Sequence, residues 1–291
     1  MGLLDIILWP IKWAVEAILV TFHTLFTSIG LDPDAGGTWV LSIVGLTLVV
    51  RALLIPLFVR QIKSQRRMLE LAPQLKRIQD KYKGKTDQFS REAMSRETMA
   101  LYKDSGTNPL ASCLPLLIQA PIFFGLYAVL LDAQHDKVGI GWLNQSLSAS
   151  FGSAELWGAP LRDTFLSAST PSVQVIAAVM VVIMTATQFI TQLQIVSRNT
   201  SPEVKASPSF RQQRILLYIL PLVFVVSGIS FPLGVMFYWL TSNIWTMGQQ
   251  FLVIRNMPTP GSEAALEREA RLARRRQRKH PDGEVGDSAD A

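Results

Sequence analysis

The chain has 291 residues, of which 49% are hydrophobic and 17% charged, with a net charge of +6 and a single cysteine. Its charged fraction is well below the roughly 25% of an average soluble domain. These values exclude a disordered chain, a coiled-coil rod and a disulfide-rich secreted module, and they do not suit a soluble enzyme. Because the apolar residues occur in long runs, we interpret the sequence as an all-α polytopic membrane protein.

Residues 1–37 are predicted to form an amphipathic helix followed by a turn. The polar side chains of Asp5, Lys12, Glu16 and His23 project within a narrow arc of such a helix. This pattern is typical of a helix that lies in the membrane interface, and we favour that interpretation. A sixth membrane span, with its polar stripe packed against other helices, stays open.

Residues 38–255 contain five stretches that approach the roughly 20 apolar residues a membrane span needs. These predicted spans are 39–58, 110–131, 173–196, 214–230 and 234–253. Pro232 separates the last two, which are therefore expected to form a tight hairpin. The sequence thus predicts a five-helix transmembrane core.

The basic residues predict the orientation of this core. Connection 60–109 holds twelve lysines and arginines, whereas the predicted outer loop 132–172 holds two. Connection 197–213 holds three, and the tail from 255 onward holds eight. Because cytoplasmic connections are enriched in Lys and Arg, the first span is expected to start outside and the C-terminus to be cytoplasmic.

Residues 60–106 are predicted to form a mobile helical hairpin in the cytoplasm. Four apolar residues repeat at helical spacing in its first arm: Leu71, Leu75, Ile78 and Tyr82. A break at Gly84 precedes a second helix, from about Thr86 to Lys103. The partner face of that helix is expected to consist chiefly of Phe89, Met94 and Leu101.

Residues 256–291 are predicted to be a basic, disordered cytoplasmic tail. Seven basic residues are concentrated between Arg268 and Lys279. Such a cluster suits phosphate groups of ribosomal RNA, so the ribosome is a candidate partner. Binding to anionic membrane lipids is the alternative.

Arg51 is the most informative single residue, because it lies inside the first predicted span. A guanidinium in the bilayer costs about 2.5–3.5 kcal/mol on insertion scales. It either extends to the cytoplasmic interface or lines a water-filled cavity. Further polar residues in the spans are Gln119, Gln188, Gln192, Asn243 and Gln249. Since the core of no span contains an acidic residue, water or a substrate group is expected to face Arg51.

Enzyme motifs fail on inspection. His23, His135 and His280 are too scattered to form a metal site or to activate a nucleophile. Gly84-Lys85-Thr86 imitates the end of a nucleotide-binding loop, but Gln79 stands where its first glycine belongs. We expect no catalytic residues, no cofactor and no metal.

Four segments resemble YidC-type membrane protein insertases, the YidC/Oxa/Albino family. The longest is residues 108–127, NPLASCLPLLIQAPIFFGLY. The others are Leu48–Arg51 leading to Pro56, residues 74–82, and Phe231–Gly234 leading to Tyr238-Trp239 and Ser242-Asn243. The resemblance covers roughly residues 38–255. The large periplasmic domain of some bacterial members is not expected here, as in the short Gram-positive type.

The resemblance implies a five-helix core around a hydrophilic groove in the inner (plasma) membrane. Arg51 matches the family's groove arginine, Gln119 the glutamine of its second core helix, and Tyr238-Trp239 its aromatic pair. We add Gln188, Gln192 and Asn243 to the groove from their helical positions. The implied function is insertion and folding of nascent membrane proteins, alone or with a Sec-type translocon.

A small membrane transporter or channel is the alternative function. Transporters often show inverted repeats and paired intramembrane charges, whereas this sequence has one unpaired arginine in its predicted spans. A passive assembly scaffold is a second alternative, and it would not need Arg51. Substrate range, dependence on a Sec translocon and oligomeric state do not follow from the sequence.

Overall fold

The computed structural model describes residues 3–106, 114–135, 137–205 and 228–279, together with 219, 225 and 226. Eleven helices are present in these ranges: α1 Leu3–Ser28, α2 Gly36–Leu53, α3 Ile55–Glu70, α4 Ala72–Lys81, α5 Gln88–Asp104, α6 Leu114–Gln134, α7 Gln145–Ser153, α8 Pro171–Arg198, α9 Pro202–Lys205, α10 Leu233–Asn256 and α11 Glu263–Lys279. Two short strands, β1 Glu155–Leu156 and β2 Ala159–Pro160, pair antiparallel. Within the described ranges the protein is therefore mostly helical, as the sequence predicts.

Helices α2 and α8 are long and apolar enough to cross a membrane by length and composition, and residues 119–133 of α6 form a shorter apolar stretch. The predicted spans 110–131, 173–196 and 234–253 overlap α6, α8 and α10. Most of the predicted span 214–230 lies outside the described residues, and so do residues 110–113. The number of five spans therefore stays a prediction.

Helix α2 ends before the predicted end of the first span. Helix α2 ends at Leu53, and α3 begins at Ile55, so 39–58 is not one continuous helix. Pro56 explains the break, because it has no N–H to pair with the carbonyl four residues earlier. Arg51 consequently lies in the last turn of α2.

Helix α1 directs its polar side chains into the protein. Lys12 pairs with Asp132 at 3.2 Å, and His23 donates to the carbonyl of Pro33 at 2.9 Å while stacking on Trp39. Glu16 is only 2% exposed. The polar side chains of Lys12, Glu16 and His23 therefore contact protein, and the interfacial position of α1 stays a prediction. The side chain of Asp5 lies outside the described residues.

The same contacts show that α1 crosses α2 and α6. Near its start, Ile11 packs against Gly125, nine residues before the end of α6. Near its end, Phe22 packs against Gly45, nine residues after the start of α2. These ends of α6 and α2 both lie beside the segment between α6 and α8. Helix α1 therefore contacts α6 and α2 at the same distance from the segment between α6 and α8, so it runs across both helices. Its exposed face is apolar and includes Ile6 and Trp9.

Residues 137–170, the α6–α8 loop, close one end of this helical assembly. Its β-hairpin lies directly against the start of α2, where a Cβ on Gly36 would approach the Glu155 carbonyl carbon to 2.4 Å. The Trp39 indole donates to Ser150 at 3.1 Å and packs against Phe151. Trp39 and Phe151 are fully buried, so the loop is part of the hydrophobic core.

The same loop caps α10. Pro232 precedes the helix, and the first backbone N–H groups of α10 lack intrahelical acceptors. The N–H of Leu233 donates to the Asp163 carbonyl at 3.0 Å, and that of Gly234 donates to the Leu161 carbonyl at 2.9 Å. Helix α10 then packs along α8 and α2.

The hairpin predicted for residues 60–106 consists of α4 and α5, preceded by α3. Its seam is as expected, since Leu71 is buried and Leu75, Ile78 and Tyr82 are half-buried. The first arm is interrupted at Leu71, because Pro73 occupies the first turn of α4. Phe89 is 80% exposed and does not belong to the partner face, which corrects that prediction. Glu97 joins the arms instead, accepting from Lys81 and from Tyr82.

The tail predicted as disordered is helical over α11, which is a correction. The Ser262 hydroxyl accepts from the N–H of Ala265 at the start of the helix, in the manner of an N-cap. The residues that follow are rich in Ala, Leu, Glu and Arg, which have high helix propensity. Arg271 also donates to the carbonyl of Arg255 at the end of α10. Residues 280–291 lie outside the described part.

Candidate functional site

Arg51 lies where α2, α3 and α10 meet. Its guanidinium donates to the hydroxyl of Ser242 on α10. The Phe58 ring of α3 lies on another side, 6.0 Å from the Arg51 Cζ to the ring centroid, in the range of a cation–π contact. None of the ion pairs among the described residues includes Arg51. Arg51 is therefore a partly buried cation bound by a neutral hydroxyl and an aromatic ring.

Tyr238 and Gln119 continue this polar arrangement. Tyr238 lies one turn before Ser242 on α10 and is only 3% exposed. The Gln119 amide on α6 donates to its hydroxyl at 3.4 Å. Four side chains from α2, α6 and α10 thus form one row, which we call the polar row: Gln119, Tyr238, Ser242 and Arg51.

Two amide atoms on α6 and α10 are buried without a hydrogen-bond partner in the described structure. The Oε1 atom of Gln119 has none, and neither does the Nδ2 atom of Asn243, which follows Ser242 on α10. A buried polar atom without a partner costs about 1–3 kcal/mol. Most such atoms in proteins are paired, so these atoms are available to a ligand.

Gln188 and Gln192 are not joined to the polar row. They are half-buried on α8, and no hydrogen bond connects them to Arg51, Gln119 or Tyr238. The buried polar residues of α8 are their neighbours Thr187 and Thr191. Both hydroxyls donate to carbonyls of their own helix, so they are satisfied without a partner from another helix.

Trp239 belongs to an aromatic cluster beside the row. Its ring stacks on Phe123 of α6 at a centroid distance of 5.7 Å and meets Phe231 edge-on at 5.0 Å. Phe123 also lies 6.4 Å from Tyr238. The Trp239 ring thus packs between α10 and α6.

Gln61 is a site residue that the sequence analysis missed. It is 4% exposed, and neither of its amide heteroatoms has a hydrogen-bond partner in the described structure. Phe58 and Gln61 are three residues apart on α3, so they share a face. Gln61 lies beyond the predicted end of the first span, within the connection 60–109, and no sequence pattern marks it as buried.

Comparison with known proteins gives consistent matches. The sequence model of the family described as "60Kd inner membrane protein" matches residues 31–260. A protein of Streptomyces avermitilis named "Membrane protein insertase YidC" is 45% identical over 272 residues, which is 90% of this chain and 61% of that protein.

Two further proteins of the same name match over more of their own length. The protein of Tropheryma whipplei strain Twist is 43% identical over 284 residues, covering 93% of this chain and 92% of that protein. The protein of Bifidobacterium longum is 38% identical over 275 residues, covering 93% and 82%.

Proposed function

The chain belongs to the 60Kd inner membrane protein family, whose matched relatives are named membrane protein insertases, and we propose that it inserts nascent membrane proteins through a hydrophilic groove lined by the polar row. Its relatives identify it as a membrane protein insertase. The groove, its residues and its partners are our proposal. The observation that carries it is Arg51, a cation among helices whose partners in the described residues are neutral groups.

The physical task of an insertase is to move a polar segment across a layer of low dielectric constant. A groove that reaches partway into the membrane shortens the remaining distance. In this groove Arg51 attracts acidic groups of the incoming segment, because an unpaired cation in a low-dielectric environment has a long-range field. Gln119, Tyr238 and Asn243 supply neutral donors and acceptors.

The driving force comes from the substrate itself. Transfer of an apolar helix out of water is favourable by about 25 cal/mol per Å² of apolar surface. The aromatic cluster of Phe123, Trp239 and Phe231 offers a dry surface beside the polar row, along which such a helix can pass into lipid. The reaction needs no covalent step.

The fold supports closure of the groove at one end. The α6–α8 loop packs on the starts of α2 and α10 with buried aromatic residues and backbone hydrogen bonds. We propose that this end faces outward, since the connection 132–172 is poor in basic residues, and that the α4–α5 hairpin and α11 face the cytoplasm. Helix α1 then lies across the outer half of the core, in the membrane interface.

Partners follow from this orientation. The basic α11 is placed to meet the ribosome, and the α4–α5 hairpin to meet the emerging chain. A Sec-type translocon and membrane lipids are further partners. We also propose Gln188 and Gln192 of α8 as residues of the groove wall. The observation that supports this is that both side chains are half-buried.

Site-specific crosslinking tests the proposal directly. A photoreactive residue replaces Arg51, Gln119 or Trp239 in turn, and a ribosome-stalled membrane protein is supplied. We expect crosslinks from all three positions to the nascent chain. A matched probe at Val182, which is 67% exposed on α8, should crosslink less. Crosslinks from positions 51, 119 and 239 only to lipid would contradict the proposal.

A further inference from the structure

Gln61 differs from every polar residue in the row because its whole amide group is unsatisfied. Gln119 and Asn243 each have one buried atom without a partner, whereas both Oε1 and Nε2 of Gln61 lack one in the described structure. The side chain is 4% exposed, so bulk water does not replace the missing partners. An apolar residue of the same size would avoid this cost.

The position of Gln61 extends the polar row. The Phe58 ring faces Arg51, and Gln61 lies one helical turn further along the same face of α3. Helix α3 continues toward α4 and also packs against α6. A segment that follows the row from Tyr238 past Arg51 toward the α4–α5 hairpin therefore meets Gln61 next.

The chemistry of the amide indicates its ligand. A glutamine amide offers N–H donors and a carbonyl acceptor and carries no charge. The polypeptide backbone presents the complementary pair at every residue, one N–H and one C=O. Arg51, in contrast, interacts preferentially with acidic groups.

We propose that Gln61 is a substrate-binding residue that hydrogen-bonds the main chain of the incoming segment, independently of that segment's charge. This inference rests on the proposed groove function. Gln61 binds and takes part in no covalent chemistry. Its role is to hold an extended segment by its backbone before the segment reaches Arg51.

Gln61→Leu tests the role, because leucine is of similar size and removes both hydrogen-bonding groups. The purified variants are reconstituted in liposomes with two substrates that differ only in an acidic or neutral translocated tail. We expect insertion of both substrates to fall roughly five- to tenfold, the loss of one or two hydrogen bonds. Gln61→Asn, which keeps the amide, should retain most of the activity. Gln79→Leu, at an exposed position of α4, is the matched control and should have no effect.

The thermal midpoint of Gln61→Leu in detergent separates substrate binding from a structural role. We expect it to be unchanged or raised, since two unpaired buried atoms are removed. A lowered midpoint would show that the amide is satisfied within the fold, and the inference would be overturned. Unchanged insertion, or a loss confined to the acidic-tailed substrate, would also overturn it.

A photoreactive residue at position 61 distinguishes this inference from the function on which it rests. Crosslinks to a stalled nascent chain from both 61 and 119 support both. A crosslink from 119 without one from 61 overturns the role of Gln61 and leaves the groove intact. Failure at both positions overturns the groove itself.

Discussion

The carboxylate of Glu16 accepts a hydrogen bond of 2.7 Å from the backbone N–H of Gly141, although 125 positions separate the two residues. Its other oxygen accepts from the N–H of Ile140 at 2.9 Å. The loop approaches so closely that a Cβ on Gly139 would lie 2.5 Å from the carboxylate. This one side chain fastens α1 to the α6–α8 loop.

Replacement of Glu16 should loosen the closed end of the protein. In Glu16→Gln an amide N–H₂ must face a backbone N–H, so one of the two bonds is lost, and we expect a loss of about 1–3 kcal/mol in stability. The thermal midpoint in detergent should fall, and a cysteine placed at Ile140 should react faster with a water-soluble maleimide. Glu155→Gln, an exposed carboxylate in the same loop, is the control. An equal midpoint for both variants would mean that the two hydrogen bonds contribute nothing.

Substitutions at Arg51 should separate charge from geometry. Arg51→Ala should lower insertion of substrates with acidic tails by roughly tenfold, or about 1.4 kcal/mol, and affect neutral tails less. Arg51→Lys should be largely tolerated, because a positive charge is needed rather than a bidentate fork. The measurement is protease protection of inserted tails in proteoliposomes. Insertion of acidic-tailed substrates by Arg51→Glu at the wild-type rate would refute the electrostatic role.

The α4–α5 hairpin should open at acidic pH. Hydrogen bonds, first from Lys81 and then from Tyr82, hold the pKa of Glu97 below its ordinary value of 4.5. A carboxylate with a lowered pKa stabilises the fold above its unfolded pKa, and this contribution is lost as the pH falls through the folded value. Amide hydrogen exchange, corrected for intrinsic rates, should therefore show weaker protection of the hairpin below about pH 4.5.

Glu97→Gln should weaken this protection at neutral pH and reduce its pH dependence. Some dependence should remain, because the backbone N–H of Ser90 also lowers the pKa of Asp87 at the start of α5. Glu92→Gln is the control, since the contacts of Glu92 in the described residues, with Gln88 and Arg96, lie within the same helix. A pH profile of Glu97→Gln that matches the wild type would show that the link between the two arms is unimportant.

The basic residues of α11 should contribute salt-dependent ribosome binding. Replacing Arg274, Arg275, Arg276 and Arg278 by glutamine keeps a helix-forming sequence while removing four charges. Co-sedimentation with ribosomes at rising salt should show weaker binding, with the log–log salt slope reduced by about three. Glu267→Gln and Glu269→Gln should have the opposite or no effect. Unchanged binding at low salt would leave anionic lipid as the partner of this helix.

The sequence predicts helices well where hydrophobic runs dominate, and poorly where individual contacts decide. Helices α8 and α10 lie within two or three residues of the predicted spans, because long apolar runs have few alternative conformations in a membrane. The break at Leu54 does not follow from the hydrophobic pattern, because the apolar run continues through Pro56. Helix α11 was missed because its high charge resembles a disordered tail, while its helix propensity and the cap at Ser262 were overlooked.

In the candidate site, too, some residues are predictable from the sequence and others depend on individual contacts. Arg51, Gln119 and Tyr238 lie close together although they are up to 187 positions apart in sequence, and their role in a groove stays a prediction. Gln188 and Gln192 were assigned from helical position alone, which does not determine the face that packs inward. Gln61 required the angle between α2 and α3, and no sequence pattern contains that information.

The cap on α10 has a consequence for the order in which the protein assembles. The carbonyl groups of Leu161 and Asp163 receive the N–H groups of Gly234 and Leu233, which are synthesised about 70 residues later. Until then the two carbonyl groups have no such donors, and the closed end is incomplete. These two hydrogen bonds between the α6–α8 loop and α10 therefore form only after α10 has been synthesised, so this contact is among the late steps of assembly.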